Sequence, residues 1–163
     1  MLFSTTFFVY VIYIMEIGRK RPAMTLPFHQ NDEQEIIFLT VCTKAKKPIL
    51  ASPAIHELLT LTWQKARAWV VGLLMPDHVH LFCAPRSSYS LRSWISYWKS
   101  ETARNWPDSR HQPVWQRCYW DTKIRRDEHY NEKWSYVGLN PVRAGLVEAP
   151  EDWPYQGRLN RLG

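Results

Sequence analysis

Residues 69–84 read WVVGLLMPDHVHLFCA: two apolar runs, 69–75 and 78–84, on either side of Pro76-Asp77. Short apolar segments joined by two turn-forming residues predict an antiparallel hairpin. Within the second run, the period of two along a strand sends His78 and His80 to one face and Val79 and Leu81 to the other. Upstream, residues 36–43 (IIFLTVCT) are rich in β-branched and aromatic side chains and read as a buried strand, ended by the basic stretch 44–48. Ser52-Pro53, a capping residue followed by a first-turn proline, opens a helix expected to run to about Ala68 with Ile55, Leu58, Leu59 and Trp63 at helical spacing. Ser90 caps a second predicted helix through Asn105, with Leu91, Trp94, Ile95 and Trp98 along one side. Residues 113–124 (PVWQRCYWDTKI) are expected to be a strand or extended segment, and Asp127 to cap a last helix reaching about Asn140, where Pro141 stops it. Strand, helix, hairpin, helix, strand and helix make an α+β domain, an antiparallel sheet with helices packed on it.

The chain's 163 residues suffice for one domain with a proper core and fall short of two of ordinary size. With 45% hydrophobic and 22% charged residues, and neither repeat nor low-complexity run, it is neither a disordered chain nor a solenoid. Lys and Arg outnumber Asp and Glu by 21 to 15, a net charge of +6 that favours a polyanionic partner through long-range attraction. Nine Trp and eight Tyr interleave with these cations, supplying flat faces for unpaired bases, although most such rings serve as core. Cys42, Cys83 and Cys118 are odd in number and widely spaced, which argues against a disulfide framework or a zinc knuckle and fits a reducing, cytoplasmic setting.

Two imidazoles on one strand face are half a metal site, and imidazole with oxygen co-ligands accepts Mg²⁺ or Mn²⁺. In a chain with six His, such a pair also arises by chance. It needs a third ligand and a reaction. Tyr136 and Asn140 stand at i and i+4 on the last predicted helix and so share a face. Asn140 offers an amide oxygen to a hard cation, and Tyr136 a phenol that can attack phosphorus. The same residues are equally a ring packed with Tyr130 and Trp134, and a helix C-cap ahead of Pro141. The cations available for phosphates are Lys99, Arg104, Arg117, Lys123, Arg125, Arg126 and Arg143, and Trp115, Tyr119 and Trp120 are candidates for stacking on bases.

MPDHVHLF at residues 75–82, VWQRCYWDTKIRRDEHYNEKWSYVGLNPVRAGLV at 114–147 and EDWPY at 151–155 together resemble the REP-associated tyrosine transposases. These are a bacterial branch of the single-tyrosine HUH transposases of the insertion-sequence type, and the resemblance covers roughly residues 22–155. It implies a ferredoxin-like antiparallel sheet with helices packed on one face. It also implies a divalent metal, Mg²⁺ or Mn²⁺, held by His78 and His80, Tyr136 as the nucleophile, and Asn140 as a third ligand. Family members cut single-stranded DNA beside imperfect hairpins, leave a 5′-phosphotyrosine and a free 3′-OH, and rejoin ends. The partner implied is single-stranded or hairpin DNA, with no small-molecule substrate, acted on by a monomer or homodimer. Asp77 stands where Asn or Glu is also found, and Gly138 lies inside the expected catalytic helix at a cost of about 1 kcal/mol against Ala.

Other classes fit less well. A histidine-triad hydrolase needs a third His where this chain has Phe82, and a metallo-hydrolase of the His-x-His-x-Asp-His type lacks the following Asp and His. The rival is a module that binds hairpin DNA or RNA without cutting it. Residues 1–23 stand apart as an apolar and basic extension, with a catalytic domain over 24–163. The apolar run 2–15 reads as an early-annotated start ahead of Met24, a peripheral apolar segment or an anchor. Against the anchor, about 20 apolar residues are needed to span a bilayer.

Overall fold

The computed structural model describes residues 35–66, 68–85, 90–124 and 127–159. Its strands are β1 (Ile36–Cys42), β2 (Trp69–Leu74), β3 (His78–Ala84), β4 (Trp120–Ile124) and β5 (Gln156–Leu159). Its helices are α1 (Pro53–Lys65), α2 (Leu91–Arg104), α3 (Asp127–Gly138) and the one-turn α4 (Asn140–Arg143). The sheet runs β4-β1-β3-β2-β5 with every pair antiparallel. The first four strands with α1 and α2 thus give the ferredoxin-like arrangement, to which β5 adds an edge beside β2.

The hairpin forms where expected. Met75 N–H donates to the His78 carbonyl at 2.8 Å, closing the Pro76-Asp77 turn. Thr43, just past β1, donates its own N–H to the Asp77 carbonyl at 2.9 Å, and Leu50 N–H donates to the Pro76 carbonyl at 2.9 Å. The tip of the hairpin is therefore tied to the chain leaving β1.

Period-two side-chain alternation divides the sheet into two faces. Leu39, Val41, Val79, Leu81 and Cys83 point to the face covered by α1 and α2 and are buried against Leu59, Trp63, Trp94 and Trp98. Ser52 and Ser90 cap these two helices, their hydroxyls accepting from the N–H groups of Ile55 and Ser93. Gly72 lets α1 come close: a Cβ there would stand 3.0 Å from a Leu81 methyl and 3.5 Å from the Trp63 ring. The opposite face carries Phe38, Val71 and Phe82, and α3 packs over it, with Tyr130 and Trp134 meeting the Phe82 ring at 4.8 and 5.8 Å, so helices cover both faces of the sheet and not the one face expected.

Three local expectations change. α1 ends at Lys65, short of Ala68. Of residues 113–124 only 120–124 join the sheet as β4, while Trp115 makes an isolated bridge to Thr43 and Gln116 N–H bonds the Cys42 carbonyl at 3.0 Å. Pro141 does not stop the last helix: α3 ends at Gly138, Leu139 stays helical at φ −80° and ψ −6°, and Pro141 sits in the first turn of α4. Proline has no N–H to bond back to Val137, so the ladder breaks there while the chain keeps its helical course. The apolar run 2–15 and the boundary near Met24 lie outside the described residues. No helix among the described residues is long and apolar enough to cross a membrane.

Trp98 is fully buried, edge-on to Trp63 at 5.9 Å, Trp94 at 6.2 Å and Trp115 at 5.2 Å. Trp98→Ala is expected to cost about 3–5 kcal/mol, a large part of a small domain's stability. Urea unfolding checks this, and a loss below 1 kcal/mol would show that this aromatic cluster is not the organising core of the α1/α2 face.

Candidate active site

β3 brings His78 and His80 to the face that α3 partly covers, and their rings converge. The two Nε2 atoms stand 3.1 Å apart. Each ring is fixed from behind through its other nitrogen. His78 Nδ1 meets the Asp77 carboxylate at 2.6 Å, and His80 Nδ1 meets the Thr40 hydroxyl at 2.9 Å. Phe38 stacks on the His80 ring at 5.5 Å with an interplanar angle of 19°. Two imidazoles bound side by side to one cation through bonds of about 2.1 Å have nitrogens roughly 3 Å apart, so the spacing fits a chelating pair. Carboxylate and hydroxyl partners on the far nitrogens are what orient histidine ligands in metal sites.

The charge around the pair favours its ligand form. Burial, then His78, then Lys46 push His80 down to about 3, so its ring is neutral across the working range. Burial pushes the Asp77 carboxyl up, but His78 and then Lys46 outweigh it and leave Asp77 below the usual carboxylate range. Among the described residues no group of three or more His, Cys, Asp and Glu could hold a metal, so further ligands would have to be of another kind. An amide, water or phosphate oxygen qualifies.

α3 carries two tyrosines with opposite fates. Tyr130 is buried against Phe82 and Trp69, and that burial pushes its phenol up to about 12. Tyr136 is 65% exposed. Lys133, one turn ahead of it, lies over the Phe38 ring at 4.7 Å, and Val137 is buried with Leu73 and Met75. Leu73 pairs with His80 in the β2–β3 register, so this end of α3 lies at the histidine end of the sheet. The Arg143 guanidinium covers the Tyr136 ring at 4.1 Å and bonds the Asn140 amide oxygen at 2.9 Å.

The candidate DNA-contacting residues separate. Trp115 is corrected to a core residue: it is 8% exposed, its indole N–H donates to the Thr102 hydroxyl at 2.9 Å, and its ring packs on Trp98 and Trp106. Tyr119 is half-buried against the same cluster. Trp120 is 58% exposed, and its pairing with Thr40 puts it on the histidine face, with β1 between it and His80. Lys99 is turned inward, its ammonium donating to the Gln116 carbonyl at 2.6 Å, whereas Arg117 is exposed. Arg104 and Lys123 are exposed but engaged with Glu101 and Glu35. Arg125 and Arg126 lie outside the described residues.

Thr40 and Lys46 were not singled out from the sequence. Thr40 could be found only once β1 was registered against β3. Ala45 and Lys46 are both left-handed, at φ 56° and 55°, a conformation that costs roughly 1–2 kcal/mol per non-glycine residue. That turn holds the Lys46 ammonium 3.0 Å from Cys42 Sγ and 3.7 Å from Asp77.

The family model described as transposase IS200-like matches residues 34–133. A Haemophilus influenzae protein named "Putative REP-associated tyrosine transposase" is 32% identical over 94 residues, covering 50% of this chain and 53% of that protein. The Escherichia coli REP-associated tyrosine transposase is 28% identical over 89 residues, covering 54% of this chain and 50% of that protein. The chain therefore spans about half the length of the curated relatives it matches. A REP-associated tyrosine transposase solved bound to a REP hairpin shares the fold, with a TM-score of 0.61 over 77% of each chain at 22% identity. Since the matched stretch takes in β1 to β4 with the whole His78–His80 hairpin, this chain belongs to the transposase IS200-like family.

Proposed function

We propose that this chain nicks and rejoins single-stranded DNA beside hairpins, using a divalent metal, Mg²⁺ or Mn²⁺, and a covalent phosphotyrosine. The observation that carries the reading is the convergence of two Nε2 atoms at 3.1 Å with both Nδ1 atoms held from behind. His78 and His80 would hold the metal, with Asn140 as third ligand. When bound, the ion would draw negative charge from the scissile phosphate and help fix it in line. Tyr136 attacks phosphorus through its phenolic oxygen. The Oη–P bond forms as the P–O3′ bond breaks, the phenol gives up its proton to water, and the departing 3′ oxygen takes one up. The products are a 5′-phosphotyrosine and a free 3′-OH, whose return attack reverses the sequence and joins ends. One phosphodiester replaces another, so no outside energy source is needed. The relative solved on a REP hairpin supports hairpin DNA as the partner. Trp120 offers an exposed ring for an unpaired base on the same sheet face.

Incubation of the chain with a labelled genomic hairpin and Mn²⁺ should give a denaturation-resistant protein–DNA adduct. Tyr136→Phe is expected to abolish it with hairpin affinity nearly unchanged, and His78→Ala or His80→Ala to remove metal-dependent cutting. Hairpin binding with no adduct under any divalent ion would instead assign a non-cutting binding module.

The partners behind the histidines make a separate expectation. Asp77→Asn and Thr40→Val should each weaken metal affinity by about 10- to 100-fold without unfolding the chain. Calorimetric titration with Mn²⁺ reads this directly, and unchanged affinity in both variants would sink the chelating-pair reading.

On DNA, Arg117→Ala should reduce the salt slope of hairpin binding by about 0.7, as for one phosphate contact on a single strand. Lys99→Ala should leave the slope alone and lower thermal stability instead, because its ammonium is spent on main-chain carbonyls. Trp120→Ala should weaken hairpin binding by about 1–3 kcal/mol. Equal slopes for wild type and Arg117→Ala, measured across a salt series, would remove Arg117 from the DNA surface.

A further inference from the structure

Tyr136 is the most exposed aromatic side chain of α3 with described surroundings, and a free phenol on a helix surface samples several rotamers. In-line attack tolerates little such freedom, since reacting atoms must be held near 3–3.5 Å in one orientation. One residue removes it. Arg143 lies over the Tyr136 ring with its guanidinium carbon 4.1 Å from the centroid. Its NH1 group donates to the Tyr136 carbonyl at 3.0 Å and to the Asn140 side-chain oxygen at 2.9 Å. Residues 136, 140 and 143 are i, i+4 and i+7, and the helical backbone of Leu139 keeps them in line across the break between α3 and α4.

We propose that Arg143 is the positioning residue of this site, clamping the Tyr136 ring and setting which atom of the Asn140 amide is presented. The inference rests on Tyr136 being the nucleophile. NH1 spends both protons on the two bonds, and the bond to the amide identifies its oxygen as the acceptor. An amide oxygen has two lone pairs, so the one taken by Arg143 leaves the other available. Lysine can supply the charge but not the planar stack or the forked bonds, which separates positioning from attraction to phosphate.

The test uses the complete chain as wild type, Arg143→Gln and Arg143→Lys, with thermal melts confirming that each folds. Three readouts are taken: hairpin Kd, the single-turnover rate of adduct formation at saturating DNA, and the ¹⁹F resonance of 3-fluorotyrosine at position 136, assigned by its loss in Tyr136→Phe. Both variants should slow adduct formation by about tenfold or more with hairpin Kd little changed, and the Tyr136 resonance should shift and sharpen as the ring is released. Arg143→Lys at the wild-type rate, with the loss in Arg143→Gln confined to Kd, would make Arg143 a simple phosphate contact and overturn the proposal. An unchanged Tyr136 resonance would overturn it too. Should the wild type form no adduct, the assignment of Tyr136 as nucleophile fails, and the fluorine signal still decides whether Arg143 clamps the ring.

Discussion

The antiparallel register of β3 between β1 and β2 is the constraint on which the rest of the molecule depends. It pairs His80 with Thr40 on one side and Leu73 on the other. A slip of one residue would turn His78 and His80 into the tryptophan-lined core and expose Val79, Leu81 and Cys83, all of them fully buried. That exchange is prohibitive, because unpaired polar groups would replace three well-packed apolar ones. The same core that stabilises the sheet therefore fixes which way the imidazoles point, and the register that follows sets the Thr40 hydroxyl behind His80. Hydrophobic packing on one face determines polar geometry on the other.

That other face is itself divided along β3. Phe82 and Ala84 are sealed by Tyr130 and its neighbours on α3, while His78 and His80 retain partial exposure toward the turn. Burying a whole strand face would leave the imidazoles inaccessible to any phosphate, and leaving it bare would cost α3 its anchor. An aromatic contact at one end and an open polar patch at the other resolve this. The helix is held by Tyr130, Trp134 and Val137, while Tyr136 on its flank remains exposed.

Much of this is legible in the sequence, and the exceptions share a cause. Pro76-Asp77 between two apolar runs gave the hairpin, Ser52 and Ser90 marked the helix starts, and the period of two put both histidines on one face. All of these are local rules acting within a few residues. Trp115 defeated local reading because its burial depends on α2, whose Thr102 and Trp98 receive it from another part of the chain. Thr40 was invisible for the same reason, being forty residues from His80. Pro141 differs for another reason: the residue type signals a broken hydrogen-bond ladder, and a helix can resume in nearly the same direction after such a break. The ferredoxin-like sheet came from the family resemblance, since element order alone leaves several antiparallel topologies open.

The electrostatics of the histidine pair bear on how metal and DNA would act together. His80 feels the positive charge of Lys46 and Lys133, offset only in part by Asp77. Burial first, and then the charges of His78 and Lys46, keep this imidazole unprotonated, which suits ligation, yet the nearby cations oppose the arrival of a bare divalent ion. A phosphate at the site changes both terms, since its oxygens neutralise the lysines and supply the hard ligands that two imidazoles lack. Linkage then makes the effect mutual: if phosphate raises affinity for the ion, the ion raises affinity for phosphate by the same factor. In the proposed reaction the oxygens of a bound strand would thus add to the protein ligands and tighten the hold on the metal.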